Sequence, residues 1–582
     1  MKVLVRADAS RRIGSGHVMR CLALADGLRQ QGAEVSFVCR EAQGWLGALV
    51  EAHGYAMHPL PPGSLERDTS SGYATWLGET QEVDAQQVLQ VCSEVGRFDW
   101  VVVDHYAIDA RWERMLRHCC AKIMVIDDLA NRQHDCDLLL DQNLMTGVED
   151  RYAALVPDDC VQLLGPRFAL LRPAFRAERL ADGTKGRGQS RLFVFLGGSD
   201  PDDYTSLVLD ALQLLPSGSI LADVVVGAGN ARAEALRLRC QGVPSLRFHQ
   251  QVADIERLMA SADLAVCSAG SITWERCCLG LPAVTMAIAD NQAMIGVEAA
   301  AAGLSVHLGA AKDLDAKEIA DVIARLLESQ DALARMSAAA RTTVDGLGVR
   351  RVSCAMTRRP LKIAIASDSG SWIAPWLSQL TSHWQAQGHA VTCVSEVSRL
   401  PDSDLAFYLA CGQLATRQVR ARAMHNLVVH ESALPQGRGW APLTWQILEG
   451  QNEVPVVLIE AEDKVDSGDI YLEDLLQFRG HELCDELRHA QGEITKKLCT
   501  RFVDEFPGLL SRARKQQGEG TVYRRRTPDD SKLDLDQPLR EQFNLLRVVD
   551  NLRYPAFFDV NGHRYRLRIE RLDRLDSKED GV

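Results

Sequence analysis

The chain has 582 residues, too many for a single core at about 100–200 residues per domain, which predicts three or four domains. Its 46% hydrophobic and 25% charged residues are ordinary globular values that exclude a disordered or fibrous protein. The net charge of −13, with 28 Lys+Arg against 33 Asp+Glu over residues 361–582, argues against a nucleic-acid partner, which normally meets a basic stripe. The sixteen cysteines include no Cys-x-x-Cys, and Cys119-Cys120 and Cys277-Cys278 are adjacent pairs unsuited to a tetrahedral site. Free, mostly buried thiols in a reducing cytoplasm are expected, with no metal. The first residues are charged too soon for a signal peptide, and no apolar run of about 18 residues follows, so no membrane association is expected.

Lys2–Ala7 reads as a short strand, and after Gly14-Ser15-Gly16-His17 the positions Val18, Cys21, Leu22, Ala25 and Leu28 keep helical spacing up to Gly32. Val35–Cys39, Trp100–Asp104 and Lys122–Asp127 extend a parallel sheet. A polar stretch from Ala181 to Ser190 precedes a second restart at Leu192–Leu196, with further strands at Ala222–Val226, Leu264–Cys267 and Ala283–Met286. These predict two doubly wound domains, residues 1–180 and 181–350. The Gly, Ser, Thr and Arg of residues 345–360 lack an apolar period, and 351–360 is taken as the linker. A third α/β unit over 361–515 starts at Leu361–Ala366 and continues through Val391–Val394, Leu405–Leu409 and Leu427–His430. Residues 516–582 are expected to form a small appendage with strands at Ala556–Val560 and Tyr565–Ile569 around Gly562.

Gly14 and Gly16, between strand and helix, permit a tight turn and leave helix N–H groups open to an anion, and His17 either acts as acid or base there or merely packs. Ser268-Ala269-Gly270-Ser271, followed by Glu275 one helical turn on, repeats this logic in the second domain, where a diphosphate can approach the backbone and Glu275 can accept from ribose hydroxyls. Asp8 either orients His17 and its loop or caps the turn.

Together with Arg6-Ala7-Asp8, Leu164–Pro173, Gly197-Gly198-Ser199-Asp200 and Asn291-Gln292, these motifs resemble the PseG family, UDP-sugar hydrolases of pseudaminic acid biosynthesis with the GT-B fold, over about residues 1–350. The resemblance implies that water attacks the anomeric carbon of a UDP-linked diamino-trideoxy-altrose. It makes His17 the acid/base, Tyr106 of Asp104-His105-Tyr106 a second active-site group, and Gly14, Gly16, Ser268, Ala269, Gly270, Ser271 and Glu275 the nucleotide seat. Asp8, Asn291 and Gln292 become sugar-binding candidates, while His105 is read as a local hydrogen-bonded group.

In the third unit Val428, His430 and Ser432 alternate on one strand face, and Asp466 follows in Val465-Asp466-Ser467-Gly468-Asp469-Ile470. With Glu431-Ser432-Ala433-Leu434-Pro435, Gly437-Arg438-Gly439, Trp445 and the Arg525–Ser531 segment, they resemble folate-dependent formyltransferases, including sugar N-formyltransferases, over about 361–570. The resemblance implies a Rossmann-like catalytic domain with a small C-terminal β-containing subdomain and N10-formyltetrahydrofolate as co-substrate. His430 would polarise the formyl carbonyl or shuttle a proton, and Asp466 would orient His430 or take the amine proton. Ser432 and Asn426 are accessory candidates. One departure stands out: the family pattern is Asn-x-His, and this chain carries Val428. Either His430 and backbone N–H groups suffice, or the strand bulges, or the domain is slow or inactive.

The tandem resembles a PseJ-like bifunctional arrangement. It implies N-formylation of the C4 amine of a UDP-4-amino-4,6-dideoxy-N-acetyl-altrosamine and release of UDP from the same sugar. The alternatives are a hydrolase or GT-B glycosyltransferase joined to a non-catalytic folate or nucleotide-sugar binding module, and a tRNA formyltransferase, which the acidic second half disfavours. The sequence is compatible with a homodimer without requiring one.

Overall fold

The computed structural model describes all residues except 11–12, 65–71, 148–149, 182–188, 217, 358 and 573–582. The chain divides into two compact units, Met1–Thr357 and Arg358–Val582. Most of the polar stretch expected between the first two domains (182–188) lies outside the described residues.

The first unit holds two all-parallel sheets. One is seven-stranded, in the order Ala56–Leu60, Glu34–Arg40, Lys2–Ala7, Phe98–Asp104, Cys120–Ile126, Leu138–Asp141, Val161–Leu164. The other is six-stranded, in the order Leu246–Gln250, Ile220–Val226, Ser190–Phe195, Leu264–Ser268, Ala283–Ala287, Val306–Ala310. Their central strands are runs of fully buried Val, Leu and Ile, as a sheet covered by helices on both faces requires. In each sheet the order reverses beside the first strand of the domain, and that switch point opens a crevice at the carboxyl ends of the strands. His17 stands at one such edge and Ser268 at the other.

The expected linker is instead partly helical, over Gly348–Thr357. This helix packs against Gly16–Gln30, where a Cβ on Gly27 would come within 2.3 Å of Val349 Cγ1, and Trp100 Nε1 donates to Met356 O at 3.1 Å. Arg351 in it is buried, paired with Asp345 and bonded to Arg167 O.

The second unit carries a six-stranded sheet, in the order Ala390–Val394, Lys362–Ala366, Ser403–Tyr408, Ala423–His430, Glu453–Glu460, Ile470–Gln477, the last two strands antiparallel to their neighbours. The long helix Cys484–Glu505 packs on it. Residues 516–523, read as the start of the appendage, are tied to the loops at the carboxyl end of Ala423–His430, where a separate two-stranded sheet forms. Val522–Tyr523 pairs with Arg438–Gly439, and Gln516 bonds Arg438 and the Asp466 loop. Ala556–Val560 and His563–Leu567 form the expected hairpin. All sixteen cysteines are free, and among the described residues no helix is long and apolar enough to cross a membrane.

Candidate active sites

The helix Gly16–Gln30 starts straight from the first strand's loop, and Ser15 places no side-chain cap on it, so its first N–H groups face outward. Gly14 has φ +81°, a left-handed turn that costs a glycine little. The two loops of the unit meet here: a Cβ on Gly16 would lie 3.7 Å from Ser271 Oγ, and one on Gly198 3.8 Å from Ser15 Oγ.

His17 is 8% exposed, with Nδ1 2.6 Å from Asp104 Oδ1. Asp104 ends its strand, and its carboxylate also accepts from Arg20 Nε and Nη2, each at 2.7 Å. Burial alone would raise the Asp104 carboxyl, but Arg20 and His17 hold it well below the usual carboxylate range, so it stays ionised and fixes the imidazole with Nε2 outward. Tyr106 lies edge-on to His17 with centroids 4.7 Å apart and donates to Asp128 Oδ2 at 2.7 Å. Burial and Asp128 push its phenol well up. Tyr73 and Trp76 pack on the same ring. Asn291, from the second sheet's edge, donates Nδ2 to Tyr106 Oη at 3.4 Å.

Asp8 is a correction. It is 3% exposed, and its oxygens are taken by Arg6 Nη1 and Nη2 (2.5 and 2.9 Å) and Arg40 N (2.7 Å), so it is bonded to these arginines rather than to His17. His105 accepts from Ala107 N and faces Asp8 rather than the cleft. The histidine's partner is Asp104, which the reading passed over although it closes the strand Trp100–Asp104; Arg20, one turn after His17 on the same helix face, carried the same signal. Gln292 accepts from Ile288 N, and its Nε2 would lie 3.3 Å from a Cβ on Gly270, so it props the Ser268–Ser271 loop.

In that loop Ser268 and Ala269 are buried and Ser271 is exposed. Ala269 N is spent on Met286 O. Glu275 lies in the first turn of Ile272–Leu279. Burial raises its carboxyl to about 7, against the pull of Arg172, with Glu256 adding to the rise. Among the described residues no donor is bonded to this carboxyl.

In the second unit His430 ends its strand. Nε2 lies 2.8 Å from Gly437 O, and Nδ1 lies 3.6 Å from Asp466 Oδ2, an ion-pair distance too long for a hydrogen bond. Asp466, at φ +51°, also accepts from Gly439 N at 2.9 Å. Ser432 donates to Gln436 O at 2.7 Å, closing the turn that delivers Gly437 to His430. The register from Leu427 to His430 is regular, so no bulge compensates for Val428, whose side chain packs with Leu434, Val457, Ile459 and Ile470. Asn426 is a second correction: its amide is consumed by Tyr408 Oη and Arg420 O, a core role two register positions behind Val428. Glu431 follows His430 directly and carries a second carboxyl to this end of the strand. Burial raises its carboxyl despite the pull of His430, and it accepts from Gln491 Nε2 at 2.6 Å.

The folds and the two sites define a tandem of two α/β enzyme modules. A family profile described as "Glycosyl transferases group 1" matches residues 190–329. The chain is 27% identical over 276 residues to a UDP-2,4-diacetamido-2,4,6-trideoxy-β-L-altropyranose hydrolase of Campylobacter jejuni, covering 47% of this chain and 87% of the relative. It is 29% identical over 187 residues to a methionyl-tRNA formyltransferase of Symbiobacterium thermophilum, covering 31% of this chain and 55% of that protein, so it spans about half the length of that relative. Among solved structures, a likely sugar N-formyltransferase from Mycobacterium tuberculosis aligns at 20% identity with a TM-score of 0.31, over 37% of this chain and 99% of its own. By these likenesses the first unit is similar to a UDP-sugar hydrolase and the second to formyltransferases.

Proposed function

We propose that the second unit N-formylates the C4 amine of UDP-4-amino-4,6-dideoxy-N-acetyl-β-L-altrosamine from N10-formyltetrahydrofolate, and that the first unit hydrolyses the UDP-sugar to UDP and the 2-acetamido-4-formamido-2,4,6-trideoxy sugar, as steps of pseudaminic acid biosynthesis. The observation that carries the reading is the His17–Asp104 pair beside Tyr106, facing the Ser268–Glu275 loop.

In the first unit the loop N–H groups and the helix start at Ser271 receive the diphosphate. His17, with Nδ1 on Asp104, uses Nε2 to take a proton from water as its oxygen bonds the anomeric carbon and the C–O bond to UDP breaks, the electron pair leaving with the diphosphate. Tyr106 and Asn291 hold the sugar side. In the second unit the neutral amine attacks the formyl carbon. The His430–Asp466 pair receives the proton the amine sheds, and the folate nitrogen leaves protonated.

The direct test is mass analysis of products after mixing the enzyme with this amino sugar, with and without N10-formyltetrahydrofolate. A gain of one formyl group together with UDP is the expected result. UDP release with no formyl addition at any folate concentration overturns the second half of the reading and favours a non-catalytic folate or nucleotide-sugar module, the alternative that Val428 supports.

A further expectation concerns pH. Ribose hydroxyls donate to the ionised form of Glu275, whose carboxyl titrates at about 7 in the free protein. UDP affinity should therefore rise as pH climbs through 7, and Glu275→Gln should flatten that rise, as read by calorimetric titration at pH 6 and 8. Affinity independent of pH in the wild type refutes this role.

A further inference from the structure

The His17 site and the nucleotide seat rise from different sheets, yet buried and half-buried hydrogen bonds join them without a break. Trp274, beside Glu275 and 1% exposed, donates Nε1–H to Asn143 Oδ1 at 3.1 Å. Asn143, 3% exposed just past the strand Leu138–Asp141, is pinned by its backbone N on Asp141 Oδ1 at 2.9 Å and donates Nδ2 to Asp128 Oδ1 at 3.1 Å. Asp128 Oδ2 accepts from Tyr106 Oη at 2.7 Å and from Arg20 Nη1 at 2.9 Å. The other edge of the Arg20 guanidinium grips Asp104, the partner of His17.

We infer that Asp128, tied through Asn143 to Trp274, is a positioning residue that couples the nucleotide seat to both His17 and Tyr106. It touches neither the cleft's nucleotide nor the reacting carbon and acts through Tyr106 and Arg20. The geometry leaves it little alternative. Arg20 is a planar fork shared between two carboxylates, so displacing Asp128 rotates the fork away from Asp104 and loosens the imidazole. Trp274 stands on the helix whose first turn carries Glu275, so a shift of that helix on nucleotide binding moves Asn143 and Asp128 with it. A second, longer tie between the same sheets, Asn291 to Tyr106, ends on the tyrosine that Asp128 holds. If the chain of bonds only glued the two sheets together, its loss would lower stability and leave turnover alone.

The inference rests on the hydrolysis reading, and its test separates the two. Trp274→Phe keeps the ring and deletes only the indole donor, Asp128→Asn removes the Arg20 pairing, and the double variant combines them in the full-length enzyme. Asp128→Asn should lower kcat about tenfold or more with KM for the UDP-sugar within about threefold, the range typical of removing a supporting partner. Trp274→Phe should lower kcat by about three- to tenfold with unchanged UDP affinity. The double variant should be no worse than Asp128→Asn, because both cut one link. Wild-type kcat in folded Trp274→Phe, or strictly additive losses, overturns the coupling. Should Trp274→Phe unfold, the isosteric Asn143→Leu breaks the same link and must show the same loss. If the wild type releases no UDP, the hydrolysis reading falls. The coupling is then read from the His17 ring nitrogen resonances, which UDP should shift in the wild type and not in Asp128→Asn; the same response in both overturns it.

Discussion

Asp104→Asn should reduce UDP release by about 10³–10⁴-fold while the protein folds and binds UDP as before. An orienting carboxylate exchanged for an amide beside a catalytic histidine costs on this scale because the ring then takes the wrong tautomer. Here the amide would face Nδ1 at the 2.6 Å spacing that the carboxylate now holds, and Arg20 would lose one of its two ionic partners in the same step, keeping Asp128. The loss amounts to about 4–5.5 kcal/mol of transition-state stabilisation. Steady-state hydrolysis with calorimetric UDP binding separates this from unfolding. An activity within tenfold of wild type would remove Asp104 from the mechanism. Asp8→Asn, by contrast, breaks a buried Arg6 pairing in which His17 takes no part, so its cost should fall on stability.

His430→Ala should abolish formyl transfer, by about 10²–10⁴-fold, the usual contribution of a positioned acid–base group, and leave UDP release from an already acylated sugar untouched. The independence follows from composition: the first unit's Asp104, Arg20 and Asp128 all lie before residue 150, and His430, Asp466 and Gly437 all belong to the second unit. Mass analysis of the amino sugar with N10-formyltetrahydrofolate reads the first effect and UDP release the second. Formyl transfer surviving in His430→Ala would shift the proton work to Glu431, the neighbouring half-buried carboxyl, or to Asp466.

Where apolar period and a glycine coincide, the fold was legible in the sequence. Lys2–Ala7 and Ala556–Val560 form as read, and the strands ending in Asp104, Ser268 and His430 fall within a few residues of expectation. The strands Leu138–Asp141, Val161–Leu164, Glu453–Glu460 and Ile470–Gln477 were missed. Four-residue strands are too short to show a period, and the last pair carries Glu and Asp among its apolar residues. At the sites, loop glycines and histidines were visible because their chemistry is local. The partners were not: Asp104 lies 87 residues from His17, and Asp128 24 beyond that. Asp8 misled because it sits two residues past a buried arginine, and only the fold reveals that Arg6 claims it. Asn426 misled because it shares the strand face of His430, whereas a buried amide on a strand is more often a core group that has found its bonds.

The helix Gly348–Thr357 bears on how the chain is made. The first lobe's helix Gly16–Gln30 is covered by residues translated more than 300 positions later, and Trp100 waits for Met356 to satisfy its indole. A nascent chain therefore cannot finish its first lobe when residue 180 emerges, nor when the second sheet is complete. Closure comes only as Thr357 clears the ribosome, just before the second unit begins to appear, so the two halves fold in succession rather than in competition.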